Sequence, residues 1–184
     1  MAVDVTLYRE LAPEEIEEWE RLAGKASPPG EVRLGSDLRW AELDAATDYL
    51  VRCRADGNLV ACAWVTKQVV GISGNELRVA GIRGVVTDPD QRRRGYGRAV
   101  MERAHELMRS FGDCDFAVLF SSVMAVPFYE ELGWCAIPGP VTVDQPGGRI
   151  DYTRELPTAP VMVLALHERA SPPPGPVDVP GLPW

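Results

Sequence analysis

The sequence predicts an α+β domain: a mixed, mostly antiparallel central sheet of about seven strands flanked by helices. Three observations predict it. First, Tyr49 to Val86 reads as three apolar strands joined by the turns Ala55-Asp56-Gly57-Asn58 and Ser73-Gly74-Asn75, which makes an antiparallel meander. Second, Val100, Ala104, Leu107, Met108 and Phe111 recur at the helical period, with Gly112 placed to stop the helix. Third, Phe116 to Phe120 is short and wholly apolar, as a central buried strand should be.

The other elements follow in order. Residues 5–8 read as a short strand. Pro13 starts a helix, where its missing N–H costs nothing, and Glu14 and Glu15 sit in the first turn, where the helix dipole favours acids. Ile16, Trp19 and Ala23 share one face of it. Ser36 is placed to cap a second helix carrying Leu38, Trp40 and Ala41. The long helix runs from about Gly97 to Phe111, and a short one covers Ala125 to Leu132. Strands are expected near Trp134 to Val143 and Val161 to His167. From Ser171 to Trp184 the prolines at 172, 173, 174, 176, 180 and 183 predict an extended surface tail, neither helix nor inner strand.

Composition narrows the class. The chain has 184 residues and is 46% hydrophobic, which suits one domain over 1–184 with 170–184 as its proline-rich tail. The 27 Asp+Glu outweigh 19 Lys+Arg, and a net charge of −8 argues against a nucleic-acid partner. The start has no basic or apolar signal region, and no run approaches the ~20 apolar residues that span a bilayer. A cytoplasmic location with no membrane partner is therefore expected. Cys53, Cys62, Cys114 and Cys135 are far apart with no CxxC pair, so no metal site and free thiols are expected. Cys135 reads as a core residue. His105 falls off the apolar face of its helix and is expected to be solvated.

The most informative stretch runs from Val85 to Gly97: Val-Val-Thr-Asp-Pro-Asp-Gln-Arg-Arg-Arg-Gly-Tyr-Gly. A strand enters a basic, glycine-containing loop that opens a helix. The first N–H groups of a helix lack internal acceptors and carry partial positive charge, so a pyrophosphate can accept from several at once. Gly95 and Gly97 leave the backbone uncrowded, and Arg92, Arg93 and Arg94 add charged donors. On these residues alone a solvated arginine face competes with the anion site. No third glycine completes a Rossmann motif, and no Lys-Ser/Thr completes a P-loop.

Arg92-Arg93-Arg94-Gly95-Tyr96-Gly97 resembles the Q/R-x-x-G-x-G/A signature of the GNAT acetyltransferases. The resemblance implies the GNAT fold and acetyl-CoA as co-substrate. It places backbone contacts to the acetyl and pantetheine groups on Val85, Val86 and Thr87, and pyrophosphate contacts on Arg92, Arg93, Arg94, Gly95, Tyr96 and Gly97. Ala125-Val126-Pro127-Phe128-Tyr129-Glu130-Glu131-Leu132-Gly133-Trp134 is similar to the family's A-x-x-F-Y-E-x-L-G-F segment, with Trp134 for the final Phe. Tyr129 is then the implied catalytic proton donor to the departing thiolate; a core-packing role is the alternative. Ser122 stands where many members carry an Asn that contacts the coenzyme. Members often dimerise, so a homodimer is an expectation of the resemblance.

Transfer to an amine needs an uncharged nitrogen and a stabilised oxyanion. Members often place a Glu on the strand before the cradle, but this chain has Arg83 there. An arginine stays protonated, so it is no base. It either reads an anionic group on the substrate or pairs with a nearby acid. Glu130, Asp113 and Asp115 are other acids in the neighbouring sequence.

More narrowly, the chain is similar to the aminoglycoside 2'-N-acetyltransferases, through Gly74-Asn75-Glu76-Leu77-Arg78, Ser121-Ser122, Leu132-Gly133-Trp134 and Trp184. In that group a C-terminal tryptophan closes over the substrate, which implies substrate contact for Trp184. Arg83 and Arg39 replace acids of the group, so a small-molecule amine other than a polycation is expected, with Arg83, Arg39 and Trp184 at the substrate. The alternatives are an aminoglycoside acetyltransferase and a coenzyme-binding regulatory module without catalysis.

Overall fold

The computed structural model describes residues 2–26, 48–137, 139–168, 170, 175–180 and 183. The chain divides into two compact units. Of the described residues, 2–26, 48–66 and 82–107 belong to the first unit, and 67–81 and those from 108 onward to the second.

In the first unit, β1 (Ala2–Leu7) lies antiparallel to β2 (Tyr49–Ala55), and β2 lies antiparallel to β3 (Asn58–Ile72) with a register shift at Cys53/Arg54. The β2–β3 turn is the expected one: Asp56 and Gly57 have φ of 52° and 80°, the two positive angles that a type I′ turn needs. Helix α1 (Pro13–Ala26) begins at the expected proline, and Glu15 accepts from the Ala12 N–H at 2.9 Å in its first turn. Its Leu22 joins Leu50, Leu59, Cys62 and Trp64 in an apolar core, with Tyr8, Leu11, Trp19 and Val86 packed around it. Tyr8 and Trp19 both meet Trp64 edge-on, with ring centroids 5.4 Å away.

Helix α1 is also pinned by charge. The buried Arg52 of β2 donates to Asp4 at 2.7 Å, to Thr6 Oγ1 at 2.8 Å and to Glu15, while Arg54 donates to Glu18 at 2.9 Å. A buried guanidinium is tolerable only when its donors are taken up this fully. The unit also holds the end of β4 (Asn75–Thr87) and the start of α2 (Tyr96–Ser110). His105 of α2 is buried, which corrects the expectation of a solvated ring. It stands four residues after Met101 and three before Met108, both buried, so the covered stripe of the helix is wider than its apolar residues mark.

The second unit carries the turn between β3 and β4, where Ser73 and Gly74 have φ of 51° and 81°. Its further elements are β5 (Phe116–Phe120), α3 (Val126–Glu130), β6 (Cys135–Ala136), β7 (Val141–Gln145), β8 (Gly148–Asp151), α4 (Tyr152–Glu155), β9 (Val161–Ala165) and β10 (Val177–Val179). The hydrogen-bonded order is β6-β9-β5-β4-β3-β10-β7-β8; off this path β2 pairs with β3, and β1 with β2. The mixed, mostly antiparallel sheet flanked by helices is as expected, and among the described residues it has ten strands. The stretch expected as one strand from Trp134 to Val143 is two, parted around Gly139-Pro140, and β8 and β10 are additional.

Strand β10 corrects the expectation of a surface tail. Pro176 and Pro180 flank it, so no proline falls inside and all three of its N–H groups remain. Val177 and Val179 are buried, and the strand pairs parallel with β7 and antiparallel with β3. Asp178, between them, accepts from Thr142 Oγ1 at 2.9 Å and from Arg149 at 2.8 Å. The core here combines Val70, Val79, Phe116, Val118, Val143, Tyr152, Val161 and Val163 with these valines.

Candidate functional site

In the first unit, β4 delivers Val85, Val86 and Thr87, all half-buried, to the loop that follows. Just before them Gly84 has φ of 58° within the strand, a break that side-chain-bearing residues resist. The Asp88 N–H then donates to the Val60 carbonyl at 2.8 Å, which fixes the end of β4 against β3. The Asp88 carboxylate accepts from the Asp90 N–H at 2.9 Å and caps a single 3-10 turn, Pro89–Gln91. Lys25, in the last turn of α1, places Nζ 2.7 Å from Asp88 Oδ1 and 2.8 Å from Asp90 Oδ2. Its hydrogen bond is the main reason the Asp88 carboxyl sits below the ordinary carboxylate range.

Past this turn come Arg92, Arg93, Arg94 and Gly95, all exposed. Arg93 and Gly95 adopt left-handed backbone angles, φ of 63° and 83°. A Cβ on Gly95 would meet nothing within 4 Å, so the glycine is needed there for its φ rather than for space. The loop feeds into Tyr96, the first residue of α2, and the Ala99 N–H returns to the Gly95 carbonyl at 3.0 Å. The first turn of α2 contains no acid. Three exposed guanidinium groups and a helix N-terminus without an acid form a donor set for a polyanion.

Arg83 donates to Asp48 in an ion pair whose side chains are 11% and 0% exposed. Of the two readings left open for Arg83, the pairing with an acid is the one the structure displays. The sequence reading missed Asp48. No local signal marks it, because it stands 35 residues before Arg83 and only tertiary folding joins them.

The second unit holds the other motif. Ser122 is half-buried; its carbonyl accepts from Ser121 Oγ at 2.8 Å and from the Ala125 N–H at 3.0 Å, and its side chain makes no cap bond to the 3-10 turn Val123–Ala125. Tyr129 of α3 is 7% exposed, and burial pushes its phenol up to about 12. The group is thus protonated at neutral pH, as a donor must be. Its ring packs against Phe128 and Trp134, with centroids 5.3 and 6.2 Å apart. The rest of the motif ends the helix: Gly133 takes φ of 88°, and the Leu132 and Trp134 N–H groups return to the Tyr129 carbonyl at 2.9 and 3.1 Å.

Asp113 is held by Lys67 and Arg78, both at 2.8 Å, which keep its carboxyl well below the ordinary range and unfit it as a base at neutral pH. Glu130 is exposed. Cys135 is exposed on β6, against the core position expected for it: that two-residue strand leaves its side chain uncovered, while Cys53, Cys62 and Cys114 are buried. Arg39 and Trp184, and the helix expected after Ser36, lie outside the described residues. Among the described residues no group of His, Cys, Asp and Glu could hold a metal ion, and no helix is long and apolar enough to cross a membrane.

The sequence model of the acetyltransferase (GNAT) domain matches residues 7–137, well over half of the chain. The chain belongs to the GNAT acetyltransferase family. The match takes in the β4 strand, the arginine loop and the Tyr129 motif of this GNAT chain. A UPF0039 protein of Schizosaccharomyces pombe is 33% identical over 94 residues, 50% of this chain and 58% of the relative. Among solved structures, a GNAT family N-acetyltransferase from Escherichia coli (YhbS), in complex with CoA, has a TM-score of 0.61 at 16% identity over 97% of this chain and 88% of that one. A probable N-acyltransferase from Enterococcus faecalis has a TM-score of 0.54 at 19% identity, over 74% of this chain but 33% of that one. The chain thus spans little more than half of the curated relative it matches. At these identities the structures show a shared GNAT fold.

Proposed function

We propose that this GNAT chain is an acetyl-CoA-dependent N-acetyltransferase that transfers the acetyl group directly to an amine of a small molecule. One observation carries the reading: β4, broken at Gly84, runs into the exposed arginine loop Arg92–Gly95 and from there into the N-terminus of α2. The donor set fits the pyrophosphate of coenzyme A. Arg92, Arg93 and Arg94 would supply charge, Gly95, Tyr96 and Gly97 backbone donors, and Val85, Val86 and Thr87 the backbone edge along which the pantetheine arm pairs. The likeness to a GNAT structure that contains CoA supports this assignment.

Acetyl-CoA supplies the activated acyl group. The nitrogen lone pair attacks the thioester carbonyl carbon, the C–S bond breaks, and the nitrogen gives up its proton to solvent. Tyr129 is proposed, on the family motif and its protonated phenol, as the proton source for the thiolate, its phenolate then taking a proton back from solvent; Ser122 is proposed as a side-chain contact to the coenzyme. Asp113 is held by Lys67 and Arg78 and is no base for the substrate amine; an amine of low pKa would need none.

A second reading, acetylation of an aminoglycoside, gains from the Arg83–Asp48 pair. Asp48 balances the Arg83 charge, so that arginine presents less repulsion to a polycation than its sequence position implies. Turnover of acetyl-CoA across aminoglycosides, polyamines, amino acids, peptide N-termini and arylamines, read by product mass, decides between them. Acetylated product from small amines alone supports the first reading, and product from aminoglycosides the second. Binding of acetyl-CoA without product from any class would count against both.

A further inference from the structure

We infer that Lys25 is a positioning residue for the coenzyme: from the end of α1 it clamps the two acids that precede the arginine loop, setting the loop's geometry and cancelling charge that would repel a pyrophosphate. The inference rests on the coenzyme reading of that loop.

The sequence poses a problem that the clamp solves. A loop built to hold a polyanion starts with two carboxylates, Asp88 and Asp90, immediately before Arg92. Left alone they would repel each other and weaken the field of the three arginines. One ammonium meets both: Lys25 Nζ lies 2.7 Å from Asp88 Oδ1 and 2.8 Å from Asp90 Oδ2. The same Asp88 Oδ1 accepts from the Asp90 N–H at 2.9 Å, so ammonium, carboxylate, backbone amide and second carboxylate close a ring around the 3-10 turn. The Asp88 backbone adds two fixed points, its N–H on the Val60 carbonyl and its carbonyl under the Gln91 N–H, each at 2.8 Å.

The clamp has a firm footing. Lys25 stands in the last turn of α1, where the dipole favours a cation, and α1 is bound to β2 through Glu15–Arg52 and Glu18–Arg54. The Lys25, Asp88 and Asp90 side chains are 47%, 17% and 77% exposed. Ion pairs so open contribute little to folding. What this one sets is the shape and charge of the loop leading to Arg92, Arg93 and Arg94. Substituting Lys25 should therefore touch coenzyme affinity far more than stability or the chemical step.

The test is calorimetric titration of the full chain with CoA, together with steady-state kinetics. Lys25→Met should weaken CoA binding about tenfold, the size of losing one charged hydrogen-bond clamp, and raise the KM for acetyl-CoA in step. Its kcat at saturating acetyl-CoA and its thermal midpoint should stay near wild type. Lys25→Arg should recover most of the affinity. Adding Asp90→Asn to Lys25→Met should recover part of it, because one uncompensated carboxylate is gone; a merely structural lysine would give no such rescue. Unchanged CoA affinity in Lys25→Met, while wild type binds, overturns the clamp and leaves the coenzyme reading intact. Loss of affinity matched by a lowered thermal midpoint and no rescue by Asp90→Asn also overturns it. Absence of CoA binding by the wild-type chain overturns both readings together.

Discussion

Gly84 and Trp64 are in tight apposition: a Cβ built on Gly84 would stand 3.2 Å from Trp64 Cδ1. The glycine answers two demands at once, a φ of 58° within β4 and the space taken by a buried indole. Gly84→Ala should therefore cost about 1–2 kcal/mol for the backbone angle alone, with crowding added. Denaturant midpoints of Gly84→Ala, with and without Trp64→Leu, separate the two parts: the second substitution relieves crowding but not the angle. A midpoint equal to wild type for Gly84→Ala would show that the strand does not need the break.

Asp48 is fully buried and ion-paired with Arg83. Removing one partner of a buried pair leaves the other charge uncompensated. Asp48→Ala should lower stability by about 3–5 kcal/mol, and Asp48→Ala with Arg83→Met by clearly less. Urea unfolding of wild type and the two variants gives the comparison. Equal losses in the single and double variants would mean that Asp48 matters for packing rather than charge.

Tyr129→Phe should reduce kcat with little change in the KM for acetyl-CoA, as expected of a group that acts on the leaving thiolate. The same variant has an alkaline signature. Burial raises the folded phenol to about 12, above its ordinary value of 10. Its contribution is whole below pH 10 and is lost as pH rises from 10 towards 12, because the unfolded chain ionises first. Wild type should lose roughly 2–3 kcal/mol more across that window than Tyr129→Phe. Tyr152 is raised to about 12 in the same way and keeps its own share in both proteins. Identical alkaline unfolding curves would show that Tyr129 is not buried in solution.

On β3, Gly71 lies opposite Asp178 of β10, and a Cβ there would stand 3.1 Å from the Asp178 Cβ. Gly71→Val should push β10 off the sheet and cost about 1–3 kcal/mol. Hydrogen exchange should then show the Val177 and Val179 amides opening while the β5–β9 pair stays protected. Unchanged protection at 177 and 179 would mean that the strand accommodates the branched side chain.

Much of this arrangement was legible in the sequence because its causes are local. The Asp56-Gly57 and Ser73-Gly74 turns, the proline at the start of α1 and the apolar run of β5 each depend on a few neighbouring residues. The arginine loop and the Tyr129 motif could likewise be read as motifs. What was misread depended on remote partners. Val177–Val179 looked like part of a proline-rich tail, and only β3 and β7 on either side make it a strand. His105 is polar by type but buried by its place on α2.

By itself, then, the sequence determined the α+β class, the order of most elements, the strand, arginine-rich loop and helix that follow one another from Val85 to Gly97, and the family to which the chain belongs. Those follow from periodicity, turn chemistry and short motifs, all of which act within a few residues. Tertiary structure alone decided that Arg83 meets Asp48, that Lys25 spans Asp88 and Asp90, that Trp64 lies against Gly84 and that the last described strand enters the sheet. Each of these pairs residues tens of positions apart, and the free energy that selects them appears only when the chain closes and water is excluded between them.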